Sequence, residues 1–265
     1  MASARRIVII GYGPIGHALV EQLVETTELP VRITVLCEET WLAYNRVAMT
    51  TFFQHQSVSE LSLSTPEWLL EHNIELIYGK ATAIDREQKR VLCNDGSSSR
   101  AVEYDELVLA TGSAPFVPPV PGLKVQNPGI YVYRTIADMQ AIIARAQGRR
   151  TAAVIGGGLL GLEGAKALLD LGLKTHVLEA APQLMPTQLD GVGGGLLRRK
   201  IEALGVTVHT GVRILEILSG EDGVRYVRIG EHDTETFLEI DLLIVSCGVR
   251  PRDELAKACG LELGT

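Results

Sequence analysis

Two copies of one short pattern, 145 residues apart, limit what this chain can fold into. Val8-Ile9-Ile10-Gly11-Tyr12-Gly13-Pro14-Ile15-Gly16 and Ala153-Val154-Ile155-Gly156-Gly157-Gly158-Leu159-Leu160-Gly161 each set an apolar run ahead of three spaced glycines. A short apolar run bounded by glycine reads as a strand buried on both faces. Apolar residues at helical spacing follow the first copy at Leu19, Val20, Leu23 and Val24. The order after each copy is also shared: helix, strand, acid, meander, apolar strand, glycine. A repeat at that scale predicts two units built alike.

Within the first unit, strands are expected at Arg6–Ile10, Val31–Leu36, Ile74–Tyr78, Thr82–Ile84, Val91–Cys93 and Leu107–Ala110, with Asn94-Asp95-Gly96 as a hairpin turn. Pro30 stops the first helix, and Thr65-Pro66 starts a short one. Trp41 to Ser64 reads as irregular. Pro115, Pro118, Pro119 and Pro121 form a stiff connector. Beyond it, helices are expected at Ile136–Gln147, from the second glycine loop to Leu171, and at Leu196–Leu204. Strands are expected at Ala152–Ile155, Thr175–Leu178, Val206–His209, Ile214–Leu218, Val224–Ile229, Phe237–Ile240 and Leu242–Val245.

A strand, a glycine loop and a helix in this order suit the diphosphate of a dinucleotide. The first glycine makes the turn, the second lets phosphates approach the backbone, and the third lets the helix pack on the strand. The helix N-terminus then offers free N–H groups and partial positive charge. An acid closing the second strand accepts hydrogen bonds from ribose hydroxyls. Glu38 lies 22 residues past Gly16, and Glu179 lies 18 past Gly161. Glu39 rivals Glu38 for the first role. Ala180-Ala181-Pro182 follows Glu179 with no arginine to receive a 2′-phosphate, so the second copy favours NADH over NADPH. Two dinucleotide sites on one chain suggest electron transfer between two cofactors.

Composition removes other classes. Lys plus Arg at 25 against Asp plus Glu at 32 leaves −7, so no basic footprint for nucleic acid or an anionic membrane is present. No apolar stretch approaches the ~20 residues of a helical span. Arg5 and Arg6 ahead of only four apolar residues start a strand rather than a signal peptide. Cys37, Cys93, Cys247 and Cys259 are scattered without a CxxC pair. That argues for buried thiols in a reducing, cytoplasmic setting, and against a zinc site, an iron–sulfur cluster or a redox disulfide.

These motifs, taken together, resemble the two-dinucleotide-binding flavoprotein reductases, and in particular the N-terminal FAD/NADH part of NAD(P)H nitrite reductase large subunits. Besides the glycine loops, the carrying segments are Ala43-Tyr44-Asn45-Arg46, Leu109-Ala110-Thr111-Gly112-Ser113-Ala114-Pro115, Leu162-Glu163, Leu197–Val206 and Gly248-Val249-Arg250-Pro251-Arg252-Asp253-Glu254-Leu255. The resemblance implies an α/β chain of two Rossmann-like domains, each with three layers formed around a parallel central sheet plus a β-meander. The second domain would be inserted in the first: 1–118 binding FAD, 119–247 binding NAD, and 248–265 returning to the FAD domain. It also implies that Gly11, Gly13, Pro14, Gly16 and Glu38 hold FAD, with Arg46 beside the flavin ring and Thr111, Gly112 and Gly248 near the crossing between domains. Gly156, Gly158, Gly161 and Glu179 would hold NADH, with Glu163 near the nicotinamide. Arg46 and Glu163 are the residues expected at the chemistry.

The same resemblance implies an NADH-dependent flavoprotein that passes electrons to a downstream acceptor domain or protein. A further flavin-contacting segment and the siroheme and iron–sulfur domains of that family would follow Thr265, so the chain reads as a fragment without a nitrite-reducing site. Met49-Thr50 stands where Leu-Ser is usual, without an evident consequence. Two alternatives remain open: a truncated rubredoxin or ferredoxin reductase, and a non-catalytic module that senses NADH.

Overall fold

The computed structural model describes residues 4–26, 30–231 and 234–264. Residues 1–3 and 265, which the expected domain limits include, lie outside the described residues. Contacts divide the chain into two units. The first comprises Met1–Arg46, Val58–Ala114 and Pro251–Thr265, and the second comprises Val47–Ser57 and Pro115–Arg250.

The chain opens with β1 (Arg5–Ile10), α1 (Pro14–Thr26) and β2 (Val31–Cys37). Next come α2 (Met49–His55), which belongs to the second unit, and α3 (Pro66–Glu71). The first unit continues with β3 (Glu75–Tyr78), β4 (Lys80–Asp85), β5 (Arg90–Asn94), β6 (Ser99–Glu103) and β7 (Glu106–Leu109). Its parallel sheet has the order β3-β2-β1-β7, and β4-β5-β6 form an antiparallel meander. Alternation along β1 explains the layers. Ile7 and Ile9 pack with Val20 of α1 and Leu69 of α3, whereas Val8 and Ile10 pack with Val91 and Cys93 of the meander. A strand covered on both faces must be apolar throughout, which is why Ile7–Ile10 carries no polar residue.

β8 (Ser113–Pro115) leads onward, and the second unit is built from β9 (Ile130–Val132), α4 (Ile136–Ala146), β10 (Thr151–Ile155), α5 (Leu159–Asp170) and β11 (Lys174–Glu179). It continues through α6 (Gly191–Ala203), β12 (Thr207–Thr210), β13 (Arg213–Gly220), β14 (Gly223–Glu231), β15 (Thr234–Glu239) and β16 (Leu242–Val245). Its parallel sheet runs β12-β11-β10-β16-β9, with the meander β13-β14-β15 alongside. Ala153 and Ile155 of β10 pack against Ile217, Val227 and Ile229 of that meander, and α5 lies on β10 and β11. β17 (Val249–Pro251) pairs with β8 as the chain returns, and α7 (Glu254–Ala258) follows.

The contact division differs from the expected limits of 118 and 247, and the segment expected to be irregular contains α2. That helix buries Met49, Phe52 and Phe53, with Phe53 against Tyr133 at 5.9 Å between ring centroids. Tertiary packing therefore makes a helix from a sequence of weak helical preference. α6 starts five residues before the expected Leu196, because the Asp190 side chain accepts the Gly193 N–H at 2.7 Å and caps it. Among the described residues, no helix is long and apolar enough to cross a membrane.

Candidate functional site

In each sheet the strand carrying the glycine loop is flanked by two strands that diverge in connection. β1 lies between β2 and β7, and β10 between β11 and β16. The C-terminal end of such a strand is a topological switch point, where open α/β sheets leave a crevice. Gly11 and Gly156 occupy those ends.

The two loops match at all three spaced glycines. Gly11 has φ +109° and Gly156 φ +112°, a region closed to residues with a side chain. A Cβ on Gly11 would lie 2.2 Å from the Ala110 carbonyl oxygen, and one on Gly156 would lie 2.2 Å from that of Ser246. A Cβ on Gly16 or Gly161 would come within 2.1 or 2.0 Å of the carbonyl oxygen of Gly11 or Gly156. These four glycines are needed by the fold itself. Gly13 and Gly158 differ: a Cβ on either meets no heavy atom within 4 Å. The space in front of each middle glycine is open, as a diphosphate cradle requires. Pro14 begins α1 directly after Gly13.

The helix ends agree with that reading. α3, α4 and α6 are capped by the side chains of Thr65, Thr135 and Asp190. α5 starts at Leu159 behind Gly158 with no side-chain cap; α2 and α7 also lack one, and at α5 this uncapped end follows directly on the glycine loop. The residues present thus fit a dinucleotide in both units.

The acids are held differently. Glu179 accepts the Gly157 N–H at 2.6 Å on one oxygen and the Ala181 N–H at 2.7 Å on the other. A Cβ on Gly157 would lie 2.6 Å from Leu184 Cδ2 and 3.1 Å from the Glu179 carboxylate, so Gly157 is the glycine that lets this acid reach the loop. In the first unit, Glu39 accepts Tyr44 Oη at 2.7 Å and pairs with Arg46, whose guanidinium lies 4.8 Å from the Tyr44 ring centroid. Glu38 instead faces two cations, Lys80 Nζ at 3.2 Å and Arg252 Nη1 at 2.8 Å. Burial opposes its ionisation, yet these two cations together hold its carboxyl below the usual range.

Thr111 Oγ1 donates to the Arg252 carbonyl at 2.7 Å, and the Arg252 N–H donates to the Gly112 carbonyl at 3.0 Å. Gly248 accepts the Phe116 N–H at 2.8 Å in the second unit. Glu163 sits in the second turn of α5, where Thr50 Oγ1 approaches its carboxylate at 3.4 Å. The same hydroxyl is 3.4 Å from Tyr133 Oη, whose proton burial makes harder to remove. Thr50, without consequence in the sequence, is therefore the neighbour of Glu163. Arg252 and Lys80 were also missed by sequence reasoning. Arg252 stands within a carrying segment, but its partner Glu38 lies 214 residues away, so no local spacing marks it.

All four cysteines are free. Burial pushes the thiols of Cys37 and Cys247 up to about 11, so both stay protonated at neutral pH. No group of three or more metal-binding side chains occurs among the described residues.

The profile of the family described as "Pyridine nucleotide-disulphide oxidoreductase" matches residues 5–265. The chain is 44% identical over 260 residues to the nitrite reductase (NADH) large subunit of Escherichia coli, covering 97% of this chain and 30% of that protein. It is 35% identical to the nitrite reductase [NAD(P)H] of Bacillus subtilis, covering 98% of this chain and 31% of the relative. It therefore spans about a third of the length of these curated relatives. Among solved structures, a ferredoxin reductase from Rhodopseudomonas palustris superposes with TM-score 0.88 at 29% identity, over 98% of this chain and 62% of that one. A NAD-dependent persulfide reductase from A. fulgidus gives TM-score 0.89 at 27% identity, over 98% of this chain and 49% of that one.

Proposed function

The chain belongs to the pyridine nucleotide-disulphide oxidoreductase family, and from that premise we propose that it is an FAD-dependent module that takes hydride from NADH, the electron-input part of a nitrite reductase large subunit. The observation that carries this reading is the pair of open middle glycines, Gly13 and Gly158, each ahead of a helix and each framed by glycines that the fold itself requires. The 44% identity to a nitrite reductase large subunit supports that parentage ahead of a ferredoxin or rubredoxin reductase.

FAD, when bound, supplies the acceptor for a hydride and passes electrons on singly. The chain supplies binding and orientation. Gly11, Gly13, Pro14 and Gly16 give the diphosphate a backbone surface and the start of α1, and Glu38 accepts the adenosine ribose hydroxyls. Thr111 and Gly112 follow the end of β7, and Gly248 precedes the returning strand β17. Gly156, Gly158 and Gly161 do the same for NADH at α5, and Glu179 receives its ribose. A carboxylate there repels a 2′-phosphate, which favours NADH over NADPH. Glu163, steadied by Thr50, orients the nicotinamide, and Arg46 offers positive charge for the reduced flavin. The domain roles follow: residues 1–118 with 248–265 for FAD, and 119–247 for NADH.

The electrons leave to a downstream acceptor domain or protein, and siroheme and iron–sulfur chemistry belongs to other parts of such a protein. Work in the cytoplasm agrees with four free thiols. The test is a flavin absorbance spectrum of the purified chain, followed by anaerobic NADH addition. Bleaching of the flavin band and NADH-driven dye reduction support the module. Flavin that NADH does not bleach, or no flavin uptake at all, refutes it and favours a chain that only senses NADH. Faster reduction of rubredoxin or ferredoxin than of general dyes would favour the reductase reading instead.

A further inference from the structure

The segment that returns to the first unit crosses the end of β1. Its backbone is tied beside β7, through Thr111 Oγ1 to the Arg252 carbonyl at 2.7 Å and the Arg252 N–H to Gly112 at 3.0 Å. Its side chain ends on Glu38, beyond β2, with Nη1 2.8 Å from the carboxylate. The sheet order is β2-β1-β7, so a residue anchored at one flank and reaching the other spans the strand that carries the first glycine loop. Neighbouring strands lie about 4.8 Å apart, so this span is about 10 Å.

The Arg252–Glu38 pair does little for the fold. Its side chains are 46% and 43% exposed, and pairs of that kind contribute little to stability. Three separate bonds nevertheless fix Arg252 in one place. Lys80 adds a second cation at 3.2 Å from the other carboxylate oxygen, so the acid is surrounded by an excess of positive charge. A ribose-binding acid alone has no need of that. A doubly charged diphosphate beside it does.

We infer that Arg252 is a further dinucleotide-binding residue of the first unit: its guanidinium, held over the end of β1, takes the diphosphate of the ligand while Glu38 takes the ribose. The inference rests on the FAD reading of the first loop. Arginine suits the task because its planar fork can donate to a carboxylate and a phosphate oxygen together. Lys80 contributes long-range charge.

The test compares ligands with and without the diphosphate, on the whole chain. Dissociation constants for FAD come from quenching of flavin fluorescence, and those for ADP and adenosine from competition with FAD. For Arg252→Gln, FAD and ADP should bind about tenfold more weakly or worse, while adenosine changes by less than about twofold. The salt dependence of FAD binding should also become shallower, because one cation facing the diphosphate is gone. Arg252→Lys should recover part of the ADP affinity, and both variants should keep the wild-type thermal midpoint within a few degrees. Equal losses for ADP and adenosine would show that Arg252 acts only by steadying Glu38 and would overturn the inference. Unchanged ADP binding would overturn it too, while leaving the first loop as an FAD site. A wild-type chain that binds neither FAD nor ADP would remove the first-loop assignment and this inference together.

Discussion

Replacing Gly13 with valine separates what the first loop does for a ligand from what it does for the fold. A Cβ at Gly13 meets no heavy atom within 4 Å, so the branched side chain enters open space. The cost to folding should stay within about 1 kcal/mol, the range of substitutions that disturb no packing. The cost to a diphosphate is larger, because valine methyls would occupy the volume its oxygens need. Losing two charge-assisted hydrogen bonds at ~1.5–3 kcal/mol each removes ~3 kcal/mol or more, a weakening of FAD beyond about 100-fold. Gly16→Ala is the counterpart. Its Cβ would lie 2.1 Å from the Gly11 carbonyl oxygen and 3.7 Å from Ala110 Cβ, so α1 must move away from β1. Overpacking against backbone costs about 1–3 kcal/mol and sometimes more. The assay is the flavin-to-protein absorbance ratio after reconstitution, read beside the thermal midpoint. Gly13→Val should keep the midpoint and lose the flavin, whereas Gly16→Ala should lower both. Full flavin content in Gly13→Val would refute the reasoning, and so would an unaltered midpoint in Gly16→Ala.

Three further outcomes are expected. Glu179→Ala should weaken NADH more than NADPH, narrowing the preference by about tenfold in kcat/KM, since the repelling charge is gone; equal losses would remove its ribose role. Gly158→Val should abolish reduction of bound flavin by NADH while the flavin itself stays bound; loss of flavin in this variant would argue against separate sites. His176 sets a pH dependence: burial first, then the charges of His209 and Lys174, push its imidazole down to about 4. An unfolded histidine titrates near ~6.5, so the unfolded chain binds the extra proton between those values. Stability is complete above about pH 6.5 and falls as pH drops toward 4, by about 2 kcal/mol between pH 7.5 and pH 5. Urea midpoints followed by far-UV circular dichroism should show that loss, and His176→Leu should flatten most of it. Both tryptophans, Trp41 and Trp68, lie in the first unit, so their fluorescence serves as an internal control.

The glycine loops were legible because their constraints are local. A strand must end, a turn must take positive φ, and a helix must approach closely, and all three needs fall on residues within one short window. The parallel strands were legible because burial on both faces leaves an unbroken apolar run, as at Leu242–Val245. α2 was not, because Thr50 and Thr51 weaken helical preference and the helix exists through Phe53 and Tyr133, far apart in sequence. The start of α6 was hidden by glycines, each of which lowers helix propensity by about 1 kcal/mol. At one of them, Gly194, a Cβ would sit tightly, 3.1 Å from Gln183 Cβ. Of the two acids after β2, spacing could not show their surroundings: Tyr44 and Arg46 take up Glu39, while Lys80 and Arg252 surround Glu38.

Those partners set the two copies of one loop apart. The backbone is nearly alike at both, to the point that an added Cβ on Gly11 or on Gly156 would lie 2.2 Å from a carbonyl oxygen. What differs is the charge around each acid. Glu38 meets two cations, whereas Glu179 is held by two backbone N–H groups and, among the described residues, pairs with no lysine or arginine. N–H dipoles orient a carboxylate without cancelling its charge, and a cation cancels it. On the proposed reading, the second acid keeps its repulsion toward a 2′-phosphate, while the cations around the first leave room for a diphosphate. Placing an arginine beside Glu179, as Ala180→Arg, should accordingly raise NADPH binding by about tenfold with little change in bound flavin, measured by coenzyme titration. If NADPH binding stayed as weak as before, charge around the acid would not be what distinguishes the two copies.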